Sequence, residues 1–402
     1  MKVWSHAARW LLALVALATP TSARAQPQAG RPFFESVAIF PIEKKHNHSS
    51  CIVETANGDL LTAWYSGSGE RKSDDVEILG AWRRKNEVLW GPRFKMADTP
   101  GYPDCNPALF AAPDQTLWLF WPTILDHNWE GALLKFAKTR DNGNHFGPIA
   151  WEKEGVLHVT PVGLPADADR AVAALSEADR VKYKPFLDEF SSRVKNELYQ
   201  RLGWMPRVHP TVLPSGRWLL PLYCDTFSAS IVLISDDHGT IWSTSKPLIG
   251  FGNIQPSLVV KKDGSITAFM RENGVNRRIR LCTSTDNGQT WGAVTNSSLP
   301  NPGAGVEAIA LNNGEWALIY NDLEKGRHSL ALSVSDDEGA TWKWTRHVER
   351  QGVGQGSFHY PSLMQSRDGL IHVSYTHGTS AGSTIEHARF NLEWVKAGPD
   401  AR

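Results

Sequence analysis

The stretch SDDHG at residues 235–239, which leads to Trp242, decides the fold because the chain repeats it. STDNG at 284–288 leads to Trp291, and SDDEG at 335–339 leads to Trp342. A degenerate copy, TRDNG at 139–143, leads to Phe146. The shared pattern is S/T-x-D-x-G-x-x-W/F, and its recurrence at a regular interval indicates a repeat architecture.

Each copy has the chemistry of a tight hairpin turn. The aspartate can accept hydrogen bonds from backbone amides within the turn, and the glycine supplies a positive φ. The aromatic residue is expected to pack between neighbouring sheets. Asp237, Asp286 and Asp337 follow one another at intervals of 49 and 51 residues, which is the length of a four-stranded blade.

The interval from Asp141 to Asp237 is 96 residues, about twice as long as the others. Residues 165–202 account for the excess, because they show a helical period and consist largely of strong helix formers. The sequence therefore predicts a helical insertion in blade three.

Six apolar, β-rich runs follow turn-like pairs such as NG, DQ and SG, and they predict one strand in each of six blades. The runs are DLLTAWYS (59–66), TLWLFWP (116–122), RWLLPLYCD (217–225), SITAFMRE (265–272), EWALIYND (315–322) and LIHVSYT (370–376). The stretch FESVAIFP (34–41) is expected to pair with the last blade and close the ring, which removes exposed sheet edges. The prediction is an all-β, six-bladed β-propeller over residues 26–395.

The first 25 residues have the pattern of an export signal. Lys2 and Arg9 precede an apolar run from Trp10 to Ala18, and Ala23-Arg24-Ala25 offers a cleavage site before Gln26. The run is too short to cross a bilayer. We expect a chain exported to the periplasm or secreted, without stable membrane insertion.

Composition limits the classes of partner and cofactor. Lys and Arg together number 42, as do Asp and Glu, so neither nucleic acid nor an anionic membrane is an expected partner. The four cysteines, Cys51, Cys105, Cys224 and Cys282, lack the spacing of a zinc or redox motif. One disulfide or four buried thiols are both compatible with this spacing. No metal and no organic cofactor is predicted.

The repeats resemble the Asp-boxes of the sialidase (neuraminidase) superfamily, and the chain looks closest to its bacterial sialidase-like BNR-repeat proteins. The resemblance implies a propeller of sialidase type. In that family three arginines bind the substrate carboxylate, a tyrosine with a glutamate partner is the nucleophile, and a loop aspartate is the acid/base. By resemblance, two of the arginines are Arg271 in SITAFMRENG and Arg327 in NDLEKGRHSLALS, and the nucleophile is Tyr360 in FHYPSL.

The loop GERKSDDVEI resembles the loop of the family's acid/base and implies Asp75 for that role, with Asp74 beside it. Two positions depart from the family pattern. His48 stands where the first arginine is expected, and the stretch Asn253-Ile254-Gln255-Pro256 offers an amide where the glutamate is expected. Gln255 is also a candidate for substrate binding. Tyr360 therefore lacks its usual base, unless Glu307 or Asp322 supplies it from another blade.

Further polar residues at the ends of predicted inner strands are expected to line a carbohydrate-binding funnel. His46 and His48 are separated by one residue and so face the same side of a strand. The other candidates for substrate binding are Asn106, Arg207, His209, Glu307 and Tyr375.

Three functions are compatible with these residues. The first is an exo-acting glycosidase that removes a terminal acidic sugar, with Asp75 as acid and Tyr360 as nucleophile. The second is a polysaccharide lyase that abstracts the C5 proton of a uronate, which the histidine and the amide at the two altered positions favour. The third is a glycan-binding propeller without catalysis. A sialic acid, another nonulosonic acid and a uronic acid would each present a carboxylate to the arginines.

Overall fold

The structure is a computed structural model that describes residues 30–85, 87–140 and 147–398. Its strands form six antiparallel sheets, each made from consecutive strands in an up-and-down order. The predicted six-bladed, all-β propeller is confirmed. The predicted signal segment and the degenerate box that ends at Phe146 lie outside the described residues.

The ring is closed by the two ends of the chain. Strand β1 (Phe34–Ala38) pairs antiparallel with the last strand of blade six, with Phe34 opposite Phe390. Closure by this pairing was predicted from residues 34–41. It covers the edge that the last strand would otherwise expose.

Blades one and two follow along the chain, and each begins at the centre of the ring. The strands of blade one are β2 (His46–Glu54), β3 (Leu60–Gly67), β4 (Glu77–Arg83) and β5 (Phe94–Ala97). The strands of blade two are β6 (Ala108–Ala111), β7 (Leu117–Ile124), β8 (Ala132–Thr139) and β9 (Lys153–Val156), with a 3-10 turn at Trp129–Gly131.

Three helices connect blade two to blade three. They are α1 (Leu164–Ala173), α2 (Glu177–Arg193) and α3 (Glu197–Arg201). Ser176 caps α2 by accepting a hydrogen bond from the Asp179 amide at 3.1 Å. The helices lie before the first strand of blade three, where residues 165–202 were predicted to be helical.

The remaining blades complete the ring. Blade three has β10 (Trp204–Pro206) and β11 (Thr211–Val212) at its inner edge, then β12 (Trp218–Cys224), β13 (Ala229–Ser235) and β14 (Ser243–Thr244). Blade four has β15 (Asn253–Val260), β16 (Ile266–Glu272), β17 (Arg278–Ser284) and β18 (Thr295–Pro300). Blade five has β19 (Glu307–Ala310), β20 (Trp316–Tyr320), β21 (Ser329–Ser335) and β22 (Trp344–Arg350). Blade six has β23 (Ser357–Gln365), β24 (Ile371–Thr379) and β25 (Gly382–Phe390), and α4 (Leu392–Lys396) follows it.

The three regular Asp-boxes form the turn between the third and fourth strands of blades three, four and five. In the first of them, Asp237 Oδ1 accepts from the amide of Ile241 at 2.8 Å, and Ser235 Oγ accepts from the amide of Gly239 at 2.9 Å. Gly239 has a φ of 77°, as its place in the pattern predicted. Trp242 packs edge-on against Phe120 of blade two with ring centroids 6.2 Å apart, so the box joins adjacent blades.

Three inner strands share a local distortion that decides where their side chains point. The register shifts in β2, β15 and β23 at the positions of Ser49, Gln255 and Tyr360, whose φ values are 58°, 56° and 47°. A bulge of this kind bends a strand and redirects the side chain that it carries. The three bulges lie at the same level of the ring, where the strands approach its centre.

All four cysteines are free and buried. In the described residues, no helix has the length and apolarity needed to cross a membrane.

Candidate active site

Three arginines from different blades surround the ring of Tyr360. The guanidinium carbons of Arg207, Arg271 and Arg327 lie 4.9, 5.9 and 5.7 Å from its centroid. Arg271 Nη1 also donates to the Tyr360 hydroxyl at 2.7 Å. The cluster lies where the bulge of β23 carries Tyr360 toward the centre of the ring.

None of these three guanidinium groups forms an ion pair with a carboxylate in the described part of the chain. Arg207, which is only 2% exposed, donates to the backbone oxygens of Ser50 and Pro361 at 3.2 and 2.7 Å. Arg327 donates to Gly303 O at 2.6 Å. Positive charge without a carboxylate partner is costly at a buried site, so the cluster is suited to an anionic ligand.

Gln255 lies at the hydroxyl of Tyr360. Its Nε2 donates to that hydroxyl at 3.3 Å, and its Oε1 is buried without a hydrogen-bond partner. The phenol oxygen therefore accepts from both Gln255 and Arg271. An amide cannot remove the phenolic proton, so the change that the sequence indicated at this position persists in the geometry.

Neutral imidazoles form the other side of the cluster. His48 meets the Tyr360 ring edge-on with centroids 4.6 Å apart, and His46 Nε2 lies 3.3 Å from the Tyr65 hydroxyl. Burial lowers the pKa of both histidines, and for His48 the nearby histidines and arginines lower it further. His359 accepts from Arg327 through Nδ1 at 2.7 Å, and burial lowers its pKa to about 3. Uncharged imidazoles can accept protons.

Replacement of His359 by Asn should reduce the loss of stability in acid. The folded protein keeps this imidazole neutral down to about pH 3, whereas the unfolded chain protonates it below its ordinary pKa of 6.5. The stabilisation is therefore complete above pH 6.5 and is lost as pH falls toward 3, about 2 kcal/mol being lost by pH 5. Asn does not titrate and can still accept from Arg327.

Urea unfolding of the wild type, His359→Asn and the exposed control His158→Asn at pH 7 and pH 5 measures this difference. We expect the wild type and the control to lose more free energy of unfolding than His359→Asn. An equal loss in all three proteins would contradict the account of His359.

The loop after β3 directs Glu70, rather than Asp75, into the cluster. Glu70 Oε1 accepts from the Tyr65 hydroxyl at 2.8 Å, and Glu70 Oε2 accepts from Arg71 Nη1 at 3.0 Å. Arg71 in turn lies over the ring of Trp129 at 4.8 Å. Glu70 belongs to the same GERKSDD segment as Asp75, and sequence reasoning did not single it out.

Asp75 and Asp74 are both exposed and are held away from Tyr360. Asp75 accepts from the amide and hydroxyl of Ser68 at 3.0 and 2.8 Å, and these bonds lower its pKa. Asp74 lies 2.6 Å from His127 Nε2. These contacts hold both carboxyl groups at the surface of the loop, so the geometry does not favour Asp75 as the acid.

Asp225 is a second carboxyl that sequence reasoning missed. It directly follows β12, and burial raises its pKa to about 6, with Arg271 opposing that rise. Asn273 Nδ2 donates to it at 3.5 Å. The available signal was positional, because Asp225 ends the run RWLLPLYCD and Arg271 is the second-last residue of the run SITAFMRE.

Two further predicted residues, His209 and Glu307, bind each other instead of Tyr360. Their Nδ1 and Oε1 atoms are 2.5 Å apart, and Glu307 Oε2 accepts from the Leu363 amide at 2.6 Å. Contacts with Cys51 and Glu307 raise the pKa of His209 against the effect of burial. Glu307 thus does not supply the base for Tyr360.

Asp322 does not supply that base either, because it accepts from Ser329 Oγ at 2.6 Å and lies 2.8 Å from His347 Nε2. Tyr375 is fully buried in blade six, where its hydroxyl donates to Glu349 at 2.5 Å. The expectation that Tyr375 binds substrate is therefore corrected.

Asn106 lies beside the cluster, and its Nδ2 donates to the Tyr223 hydroxyl at 3.2 Å. In the described ranges, no group of three or more His, Cys, Asp or Glu side chains is placed to hold a metal ion.

The BNR repeat-like domain family matches residues 58–162 and 192–373 of this chain. The chain is 27% identical over 176 residues to a sialidase of Micromonospora viridifaciens, a match covering 41% of this chain and 26% of that protein. It is 25% identical over 202 residues to an anhydrosialidase of Macrobdella decora, covering 45% of this chain and 26% of that protein. Both matches thus span about a quarter of the relative's length.

The fold is also that of solved sialidases. The structure of the Hadza microbial sialidase Hz136 superposes with a TM-score of 0.65 at 15% identity, covering 90% of this chain and 69% of that chain. At this identity, the similarity establishes the fold alone.

Proposed function

This chain belongs to the BNR repeat-like domain family as a sialidase-like member, and on that premise we propose that its funnel binds a terminal acidic sugar and cleaves its glycosidic bond. The substrate is a glycan that ends in a sialic acid or a related acid. Residues 1–25 have the pattern of an export signal, and a periplasmic or secreted location gives such an enzyme access to glycans.

The observation that carries the proposal is the convergence of Arg207, Arg271 and Arg327 on Tyr360, none of which forms an ion pair with a carboxylate in the described part of the chain. A guanidinium fork matches the geometry of a carboxylate and binds it through two parallel hydrogen bonds. Arg207 and Arg271 each have a buried Nε without a hydrogen-bond partner among the described residues. Arg271 is the better placed of the two, because it is partly exposed and donates to the Tyr360 hydroxyl. Arg207 supplies the third positive charge of the cluster. By resemblance, His48 occupies the sequence position at which the family has its first arginine.

Tyr360 is the group that attacks the anomeric carbon. A phenol is a weak nucleophile until it loses its proton, and the hydrogen bond from Arg271 favours the phenolate. Gln255 cannot accept that proton, so we assign this task to the neutral imidazole of His48. Burial lowers the pKa of His48 most, followed by His359 and His46, and Arg327 and Arg207 lower it further. A bound carboxylate offsets the effect of the two arginines, which makes His48 a better base when substrate is present.

Glu70, in its protonated form, is the group that gives a proton to the departing glycosidic oxygen. It belongs to the loop that the family resemblance implicated, and Tyr65 and Arg71 hold its two oxygens. The same carboxylate then accepts a proton from the water that hydrolyses the tyrosyl–sugar intermediate. Proton donation to the leaving group and proton removal from water are thus performed by one residue.

Replacement of Glu70 by Gln should slow cleavage most for substrates whose leaving group has to be protonated before it can depart. We expect kcat/KM to fall by about 10²–10⁴-fold for a sugar leaving group, which needs a proton, and much less for an activated phenol. Parallel assays with an acidic disaccharide and a fluorogenic aryl glycoside measure this contrast. Asp75→Asn is the matched control, and a larger defect in that variant than in Glu70→Gln would reverse the assignment.

A polysaccharide lyase is the second candidate, and the environment of His48 favours it. This buried imidazole is neutral and lies against Tyr360, so it can also abstract a proton next to a carboxylate that the arginines neutralise. The substrate of this reaction is a uronate-containing polysaccharide, and its product is an unsaturated sugar.

One experiment distinguishes the candidates. The purified protein is incubated with a fluorogenic α-sialoside and with a panel of uronate polysaccharides, and both fluorescence and ultraviolet absorbance are followed. Release of the fluorophore supports the glycosidase. Growth of ultraviolet absorbance without fluorescence replaces it with the lyase, and silence in both assays leaves a glycan-binding propeller.

A further inference from the structure

The family match leaves out residues 163–191, which contain all of α1 and most of α2. Most of the helical segment 164–201 thus lies outside the family match. Its helices lie between blades two and three in the chain. Helix α2 contacts loops that adjoin the funnel.

The apolar side of α2 is packed on two of these loops. Phe190 lies 5.6 Å from Phe251 and 6.4 Å from Phe227 between ring centroids. Tyr183 and Phe186 contact the same Phe251 at 5.5 and 6.4 Å. Phe227 follows Asp225 by two residues, and Phe251 precedes the inner strand of blade four.

Polar contacts connect α2 to a third loop, the one that follows Arg271. Lys182 Nζ donates to Asn276 Oδ1 at 2.5 Å, and Asn276 Nδ2 donates to the Tyr183 hydroxyl at 3.2 Å. Asn276 Nδ2 also donates to Glu272 at 3.1 Å, next to Arg271 in the chain.

The three loops are also bonded to one another. Gly252 donates from its amide to Ser228 O at 3.0 Å and accepts from the amide of Asn273 at 2.6 Å. The Asn273 side chain then contacts the two site residues, accepting from Arg271 Nη2 and donating to Asp225 Oδ1, both at 3.5 Å. A continuous set of contacts therefore runs from α2 through Phe251 to Asp225 and Arg271.

We propose that the helical segment 164–201 positions Arg271, together with the neighbouring Asp225, for the reaction, and that Phe251 is the positioning residue through which it acts. Phe251 holds a φ of 54°, a conformation that few side chains adopt without support, and α2 encloses its ring. The importance of these contacts for catalysis rests on the proposed function. Their effect on the geometry around Asp225 can be measured without substrate.

The protonation of Asp225 reports on this geometry. Burial raises its pKa to about 6, and the charged groups that face it are Arg271, Glu130, Arg71 and Glu70. If Phe251 no longer holds the loops, water reaches the carboxyl and its pKa falls toward the ordinary range for Asp. A general loss of stability elsewhere in the propeller leaves this pKa unchanged.

The test is carbon NMR titration of Asp-labelled protein, with Asp225→Asn to assign the signal. We expect the Asp225 pKa to fall by about one unit or more in Phe251→Ala, and to fall as well in Phe186→Ala, which removes a supporting ring of α2. Phe251→Leu should restore most of the wild-type value. Phe94→Ala, a buried substitution in the outer strand of blade one, should lower Tm without moving the Asp225 pKa.

An Asp225 pKa that is the same in Phe251→Ala, Phe186→Ala and the wild type overturns the inference. Equal shifts in Phe94→Ala also overturn it, because the effect would then be a general one. No substrate is present in this titration, so failure of the proposed enzymatic activity in the substrate assays is a separate outcome.

Discussion

Tyr360→Phe should lose turnover of an acidic glycoside by at least about a thousandfold, as expected for removal of a nucleophile. The substitution deletes the one oxygen on which Arg271 and Gln255 converge, at 2.7 and 3.3 Å. It keeps the ring on which the arginines and His48 are packed. Binding of the free acidic sugar should therefore change little, so the defect should be in kcat rather than in affinity.

Steady-state kinetics and calorimetry with the same acidic sugar separate these two effects. Tyr320→Phe is the matched control, because the Tyr320 hydroxyl lies within blade five, 3.2 Å from Ser333 Oγ. Ser333 Oγ in turn forms a hydrogen bond with Thr345 of the same blade. We expect normal turnover from that control. Turnover by Tyr360→Phe within a few-fold of the wild type would exclude Tyr360 as nucleophile.

Arg271→Ala should weaken binding of an acidic sugar by about 2–5 kcal/mol, or roughly 30-fold to several thousandfold in Kd. Arg271 is partly buried, contacts the Tyr360 hydroxyl and carries an Nε without a partner. Arg271→Lys should recover only part of the affinity, since an ammonium cannot form the two parallel bonds of a guanidinium.

Calorimetric titration with the free acid and with its methyl ester measures this prediction. The wild type should prefer the acid strongly, and Arg271→Ala should largely lose that preference. Arg278→Ala, a surface arginine of the same blade paired with Glu324, serves as the control and should behave as the wild type. An unchanged preference for the acid in Arg271→Ala would mean that the carboxylate binds elsewhere.

The fold could be predicted because its signals are local. A tight turn needs Asp, Gly and a hydroxyl at fixed offsets. The three Asp-boxes at Asp237, Asp286 and Asp337 could therefore be recognised without any knowledge of tertiary structure. The six apolar strand runs could be recognised in the same way, and each of them forms the second strand of a blade.

The site was only partly predictable because the direction of a side chain depends on bulges and loops. The family pattern led to Tyr360, Arg271 and Arg327, which the structure brings together around one ring. It pointed to Asp75 rather than Glu70 in one loop, and the sequence does not show that Ser68 binds the Asp75 carboxyl whereas Tyr65 binds that of Glu70.

Arg207 was expected to line the funnel. Its position against the Tyr360 ring depends on how the inner strands of different blades are arranged, and the sequence does not show that arrangement. Asp225 was missed for a related reason. A carboxyl at the end of a strand is usually solvated, and only the packing of neighbouring loops raises the pKa of this one to about 6.

The most direct test of the central claim is covalent trapping with a fluorinated glycosyl fluoride of an acidic sugar, followed by peptide mapping by mass spectrometry. Our account predicts one added sugar on Tyr360, abolished in Tyr360→Phe and formed much more slowly in Arg271→Ala. Turnover of an acidic glycoside without any adduct on Tyr360, or an adduct on a different residue, would contradict it.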